Sequence, residues 1–470
     1  MNDLHTQPAV VSFRDPAGHV TFSGDSVLRT VQRPYDEEIL AFLSLPAAAS
    51  WASSGKLVTS AVVERNPDPN TAAPALVLRH PRISFPSYPW EWSPSLWHAA
   101  ATLTLDLCLD LVQQGWILKD ATPLNILFNG VEPVFVDVLS VSRRDVSNPL
   151  WLAYGQYVRT FLLPLLAYKQ LGWPLSGLLQ RRDGYEPQDL YTGLGWAGRL
   201  RQPARSLVAL PVLLESKFKS GANSRVLHPK FAQNPEITTA ILEGSLRRLR
   251  RQLKLAMPAT QTSAWAGYTS TATHYSALDA TAKNDFVRAA LQQAAPQHVL
   301  DVGCNTGTFS ALAAEAGAAV VAIDNDLPSL DRVADMARQR KLNILPLAVD
   351  LSRPTPSAGW EYHESLSFLD RACGHFDFVL MLAVLHHLLL QAQVPLAPIA
   401  ALCHRLTSKY LLIEWVPQHD PKFQELLGGR DALYAHLTEE AFRDAFAPHF
   451  TWVQESRMAN GRSLHLLERK

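Results

Sequence analysis

Three sets of side chains stand at spacings that allow joint chemistry. The first is Asp301, Gly303, Asn305 and Gly307, within the run VLDVGCNTGTFSALAA. A strand that ends on a carboxylate and passes through glycines into a helix lets a ligand approach bare backbone, and the helix start offers unpaired N–H groups. Asp324 lies 21 residues beyond Gly303, close to the ~20-residue spacing of an acid that holds ribose hydroxyls. The extra carboxylate in Asp301-x-Gly303-x-Asn305-x-Gly307 suits a cationic amino-acid group better than a pyrophosphate. The second set, His386 and His387, follows a later apolar strand, with Glu414 and Trp415 ending the strand after that. A histidine there, His387 above all, can take a proton from an oxygen or nitrogen. Glu414 can orient an acceptor, and Trp415 can stack on a flat one; the plainer alternative for all four is packing. The third set, Asp120, Asn125 and Asp137, stands in WILKDATPLNILFNGVEPVFVDVLSV. Its plainer alternative is a coincidence of loop acids.

These groups need elements to position them. Short apolar runs at 297–302, 319–324, 344–349, 376–382 and 410–414 predict strands, and helix-length stretches such as 327–340 separate them. Such alternation predicts an open α/β sheet with crossover helices. Earlier in the chain, 10–31 reads as a hairpin turning at Asp15–Gly18, and 133–138 as a short strand. Residues 95–114 read as a helix capped by Ser93 or Ser95 and ended by Gly115. Residues 236–257 read as a basic helix with Leu246, Leu249 and Leu253 on one stripe. Its cations Arg247, Arg248, Arg250, Arg251 and Lys254 read as a solvated face, with contact to phosphates as the alternative. The expected organisation is a mixed α/β lobe over 1–92, a mainly helical lobe over 93–235, the basic helix and a linker over 236–275, and the sheet domain over 276–470. The Ser/Thr/Ala-rich stretch 258–275 marks the boundary. Net charge divides there, +5 before residue 276 and −5 after it.

Composition narrows the function classes. Over 470 residues, 43 basic and 43 acidic side chains cancel, which argues against a protein held to nucleic acid by bulk charge. The four cysteines stand far apart and form no CxxC pair, so neither a disulfide framework nor zinc spacing is read. A reducing, cytoplasmic setting is expected, and no secretory signal is visible at the N-terminus. Residues 378–404 carry no charge except on histidine. His386, His387, Pro395 and Pro398 interrupt them, so no membrane span is expected.

The stretch around Asp301 resembles motif I of the class I S-adenosylmethionine-dependent methyltransferases, D-x-G-x-G-x-G, with Asn305 in place of the central glycine. The resemblance covers about residues 270–470. It implies a Rossmann-like sheet and S-adenosylmethionine as cofactor, with Asp324 on the ribose and no metal in this domain. It also implies Asp350 facing the adenine amine, Leu351 beside the ring, Asp377 opening the fourth strand as in FD-x-V, and the histidine pair after that strand. The third set resembles the catalytic loop D-x(4)-N and the metal-binding aspartate of protein kinases, RIO-type kinases and aminoglycoside phosphotransferases. That implies an α+β kinase-like domain binding Mg-ATP, with Asp120 as base and Asn125 and Asp137 on magnesium. Helix 95–114 then precedes the catalytic loop, and 83–92 (ISFPSYPWEW) supplies the hinge. The pattern departs at Asp137-Val138-Leu139, has no glycine-rich loop before residue 80, and leaves Arg29 with Glu37 or Glu38 as the nearest substitute for the lysine–glutamate pair. A kinase-like fold without phosphotransfer is therefore expected, with active phosphotransfer as the alternative. The stretches KDA-x(3)-N, YPWEW and NTG-x-FS are similar to a bacterial family that includes NoeA-like nodulation proteins and couples such a segment to a methyltransferase. This implies the layout and no acceptor. The expected function is methyl transfer to a small-molecule or peptide acceptor, RNA being open as well, with the kinase-like domain recognising the acceptor or regulating transfer. The alternative is a bifunctional or nucleotide-gated protein.

Overall fold

The computed structural model describes residues 14–68, 73–218, 234–259 and 277–470. The chain divides into two compact units at Thr260/Gln261. Apart from Pro258 and Ala259, the stretch read as a linker lies outside the described residues.

The first unit opens on a four-stranded antiparallel sheet, ordered β1 (Gly18–Ser23), β2 (Ser26–Val31), β4 (Leu76–Pro81), β3 (Ala61–Arg65). The expected hairpin is β1–β2, but it reverses between Ser23 and Ser26. The Asp15–Gly18 stretch forms a separate turn, closed by Gly18 N–H donating to the Asp15 carbonyl at 3.3 Å. The helix Pro94–Gln113 starts with proline after Ser93 and gives way to Gly115 at φ +79°, the order of terminators a helix favours. Its Leu96, Trp97, Ala100, Leu107 and Leu111 are buried, and Trp97 Nε1 donates to the Phe161 carbonyl at 3.0 Å. Among the described residues this is the one helix long and apolar enough to cross a membrane, and most of it is buried in the unit. Short strands β5 (Trp116–Leu118) and β8 (Val141–Arg143) pair, as do β6 (Ile126–Asn129) and β7 (Glu132–Phe135). The strand read at 133–138 thus ends at Phe135, leaving Asp137 in the loop that follows.

The helix Pro235–Ala256 belongs to this unit. Leu242, Leu246, Leu249 and Leu253 are buried on one stripe, while the five cations are exposed. Arg247 pairs with Glu243 at 2.7 Å, and Arg250 with Asp106 at 3.2 Å. Both pairs are solvent-facing, so apolar burial rather than charge seats the helix.

The second unit is a seven-stranded sheet ordered β11-β10-β9-β12-β13-β15-β14. The strands β9 (His298–Val302), β10 (Ala319–Asp324), β11 (Ile344–Ala348), β12 (Phe376–Met381) and β13 (Thr407–Trp415) are parallel. The strands β14 (Phe450–Arg457) and β15 (Ser463–Arg469) form an antiparallel hairpin, with β15 against β13. The five parallel strands fall where the apolar runs predict them, and the hairpin is an addition. The uncharged stretch 378–404 resolves into β12 and two short helices, Leu385–Leu390 and Leu396–Leu406. The first crossovers run outward from β9 through β10 to β11, and the chain then returns to β12 on the other side of β9. That reversal opens a crevice at the carboxyl ends of β9 and β12, where open α/β sheets bind ligands.

Asp377 lies at the opposite edge. Its carboxylate accepts the N–H groups of Gln297 (2.8 Å) and His298 (2.9 Å), fixing the register of β12 on β9.

Candidate cofactor and acceptor site

Three loop starts converge at the crevice. In the turn after β9, Gly303 (φ +68°) and Gly307 (φ +81°) take left-handed backbone, and so does Asn305 at φ +48°. Asparagine is one of the few residues that accepts this conformation readily, which is how Asn305 stands where a glycine is expected. Its Oδ1 takes the Thr306 N–H at 2.7 Å. A Cβ on Gly303 would lie 2.5 Å from Val384 Cγ2, and one on Gly307 would lie 2.9 Å from Val333 Cγ2. The glycines therefore let the turn come close to the loop after β12 and to the helix Leu327–Arg340. The N–H groups of Gly303 and Cys304 both donate to the Ile323 carbonyl, at 2.8 and 3.0 Å, so the turn lies against β10.

Asp324, at the tip of β10, accepts Asn305 N–H on Oδ2 (2.8 Å) and Asp326 N–H on Oδ1 (2.9 Å). Each oxygen keeps a further lone pair, the capacity needed for two vicinal hydroxyls. Burial raises its pKa, and the backbone donors oppose the rise. Asp301 is 2 % exposed and takes the Ser310 hydroxyl at 2.6 Å. Burial raises its pKa to about 7, aided by the charge of Asp324 and opposed by Ser310. Asp350, past β11, is half-buried and accepts Ser352 N–H (2.9 Å) and hydroxyl (2.7 Å), while Leu351 is buried. The residues present fit a cationic nucleoside: a left-handed glycine turn between a strand and a helix start, a carboxylate with spare acceptors, and a buried acid beside it.

The two histidines occupy different environments. His386 is 2 % exposed, and its buried Nδ1 has no partner. Burial lowers its pKa to about 3, aided by His387 and Arg462. His387 is less buried, and its Nδ1 meets Gln391 Oε1 at 2.8 Å, one helical turn on. Burial lowers its pKa as well, Gln391 opposes the change, and Asp324 contributes a weaker upward pull. Ala383, just ahead of the pair, sits at φ +57°, a non-glycine residue held in left-handed backbone beside a ligand crevice.

Glu414 is fully buried. Lys283 Nζ meets its Oε2 at 2.5 Å and Arg462 Nη1 its Oε1 at 3.3 Å. Arg462 also binds Asp420 through Nε (2.7 Å) and Nη2 (3.0 Å). Trp415 is buried and stacks on Phe442 at 5.2 Å, so it closes the core rather than facing a ligand. Lys283, Arg462 and Asp420 carry no local motif and were not legible as partners. Gln391 was not read as a partner either, although its four-residue spacing from His387 is a signal that could have found it.

In the first unit Asp120, Asn125 and Asp137 lie near one another. Asn125 Nδ2 donates to Ser140 Oγ at 2.9 Å, and Ser140 Oγ donates to Asp137 Oδ2 at 2.5 Å. Arg29 pairs with neither Glu37 nor Glu38. Its Nη1 meets Asp137 Oδ1 at 2.8 Å, and Glu38 instead accepts the Arg143 N–H at 2.6 Å. Asp120 is half-buried, and burial with the charge of Asp137 raises its pKa against Lys119.

Residues 275–431 match the family model described as a methyltransferase domain. The second unit is a class I S-adenosylmethionine-dependent methyltransferase domain with a Rossmann-like sheet. Over 472 aligned residues the chain is 32 % identical to the nodulation protein NoeA of Rhizobium meliloti, covering 96 % of this chain and 92 % of that one. It belongs to the NoeA family. Among solved structures, it is similar to the N-methyltransferase NodS of Bradyrhizobium japonicum in complex with S-adenosylhomocysteine (15 % identity, 41 % of this chain and 88 % of that one, TM-score 0.30). It is also similar to the magnesium protoporphyrin IX methyltransferase of Synechocystis with the same product bound (20 % identity, 40 % and 81 %, TM-score 0.29).

Proposed function

We propose that the second unit moves a methyl group from S-adenosylmethionine to an oxygen or nitrogen of a small-molecule or peptide acceptor. The first unit recognises that acceptor or regulates the transfer. The observation that carries the reading is Asp324, held by two backbone N–H groups with lone pairs to spare, at the tip of the strand beside the glycine turn. The cofactor supplies an activated methyl group on a sulfonium. The chain's own residues then have to bind, align and keep water out. Asp324 takes the ribose hydroxyls, Asp301 faces the cationic amino-acid end, and Asp350 with Leu351 borders the base. Gly303, Asn305 and Gly307 let the backbone come close.

His387 is the base in this reading. Gln391 Oε1 only accepts, so His387 Nδ1 carries the ring proton and Nε2 is the basic nitrogen of the ring. His386, held neutral to about pH 3, is too weak a base and serves as a wall of the pocket. Glu414 holds Lys283 and Arg462 in place behind the site. A first unit that meets the acceptor is supported by the span of the NoeA likeness, which covers both units.

Titration calorimetry with S-adenosylhomocysteine tests the binding half. Wild type should bind, and Asp324→Ala should bind about ten- to a hundredfold more weakly, the effect of losing hydrogen bonds to a charged group. Equal affinities would remove Asp324 from the site. Labelled donor incubated with fractionated cell extract identifies the acceptor by the fraction that takes up label.

A further inference from the structure

We infer that the kinase-like cluster of the first unit is closed to metal, with the Arg29 guanidinium seated on the carboxylate that a magnesium ion would need. This stands independently of the methyl-transfer reading. The resemblance of Asp120, Asn125 and Asp137 to a kinase catalytic loop implies a Mg-ATP site, and the residues around them do not fit one.

Asp137 is the member whose charge a divalent ion would depend on. Its Oδ1 accepts from Arg29 Nη1 at 2.8 Å and its Oδ2 from the Ser140 hydroxyl at 2.5 Å; lone pairs remain on both, but the carboxylate's charge already faces a guanidinium. Arg29 Nη2 adds a bond to the Val136 carbonyl at 3.2 Å. The guanidinium is therefore forked over the backbone and side chain of the loop after β7. The side chains of Arg29 and Asp137 are only 12 % and 23 % exposed, so water screens the pair weakly. A divalent cation at Asp137 would meet a fixed positive charge across one carboxylate, in partial burial, where repulsion is stronger than in bulk water. Asn125, the second expected ligand, would meet a metal through Oδ1, whereas its Nδ2 donates to Ser140, so the closure rests on Arg29 and Asp137. His80 follows from the same arrangement: it is 3 % exposed with Nε2 unpaired. Burial and the nearby Arg29 charge lower its pKa to about 4, so it brings no second cation to the cluster.

Arg29 stands on β2 and Asp137 in the loop beyond β7, 108 residues apart in sequence. The pair thus ties the four-stranded sheet to the β6–β7 hairpin. An arginine always carries its proton and presents a planar fork, so it can hold this position permanently where an exchangeable ion would come and go.

Electron paramagnetic resonance of Mn²⁺ titrated into the full-length chain, with and without ATP, tests this. Wild type should leave the free Mn²⁺ signal as it is in the Asp137→Asn variant. Arg29→Gln, which frees the carboxylate, should take up one Mn²⁺ per chain, and the double variant Arg29→Gln/Asp137→Asn should lose it. Arg29→Lys keeps the charge and should remain blind to Mn²⁺. Stoichiometric Mn²⁺ uptake by wild type that disappears in Asp137→Asn overturns the inference. A folded Arg29→Gln that takes up none overturns Arg29 as the blocking group. Should Arg29→Gln fail to fold, wild type against Asp137→Asn decides alone.

Discussion

Asp301 holds a proton that the site has to release. Burial lifts its pKa to about 7, so near that pH the carboxyl is about half protonated before any ligand arrives. A cationic group bound beside it favours the carboxylate and pulls the pKa down. Binding of S-adenosylmethionine near pH 7 should therefore release a fraction of a proton. The calorimetric enthalpy should differ between buffers of unlike ionisation enthalpy, and Asp301→Asn should abolish the difference. A buffer-independent enthalpy in wild type would place Asp301 away from the cationic end. His387 gives a second prediction at this scale. As a base it must be neutral, and burial lowers its pKa below 6.5. Activity should hold down to about pH 6.5 and fall on further acidification. His387→Ala should lower kcat by about 10²–10⁴. Gln391→Glu should raise the pKa of His387 and move the acid limb upward, and an unmoved limb would count against His387.

Among the elements, the ion-paired set Lys283, Glu414, Arg462 and Asp420 joins the helix Ala277–Ala294, β13, the loop after it and the β14–β15 turn. Arg462→Met leaves Asp420 and half of Glu414 buried without their cation, which should cost about 3–5 kcal/mol, read as a fall in melting temperature. A variant that melts like wild type would mean that the charges gain water on losing their partner. This set also shows where sequence reading stops. The five parallel strands were legible because a strand covered on both faces reads as a continuous apolar run, and β10 matches 319–324 to the residue. Gly303 and Gly307 were legible as the turn after β9 because left-handed backbone and close approach favour glycine, and Asp324 was legible as the acid that ends β10. β14 was not, since it is an edge strand with mixed polar residues and only Phe450 among its side chains is buried. Arg462 and Lys283 reach Glu414 over 48 and 131 residues, and no local pattern records such a contact. Arg29 was read beside Glu37 or Glu38, a few residues on in the chain, whereas the sheet carries it to Asp137.

For the whole molecule, the buried histidines set an acid limit. His386 is held neutral to about pH 3, and His80 and His465 to about pH 4, whereas unfolded histidine takes its proton near 6.5. Between about pH 4 and 6.5 the unfolded chain binds these protons and the folded chain does not. Stability therefore rises with pH across that window and is lost on acidification. Asp301 acts the other way, since its raised pKa favours the fold below about 7, and Asp106, Asp120 and Asp324 add smaller upward shifts, while His387 and His404 side with the other histidines. Melting temperatures should fall as pH drops from about 6.5 to about 4, and substituting His465 with Phe should flatten the slope. The strand order of the second unit bears on how the chain is made. β15 lies inside β14, against β13, so a strand made after both of its neighbours must slip between two that precede it. Until it does, β13 presents an open row of backbone donors and acceptors to its surroundings. A nascent chain paused before Ser463 is thus the form of this protein most in need of a chaperone.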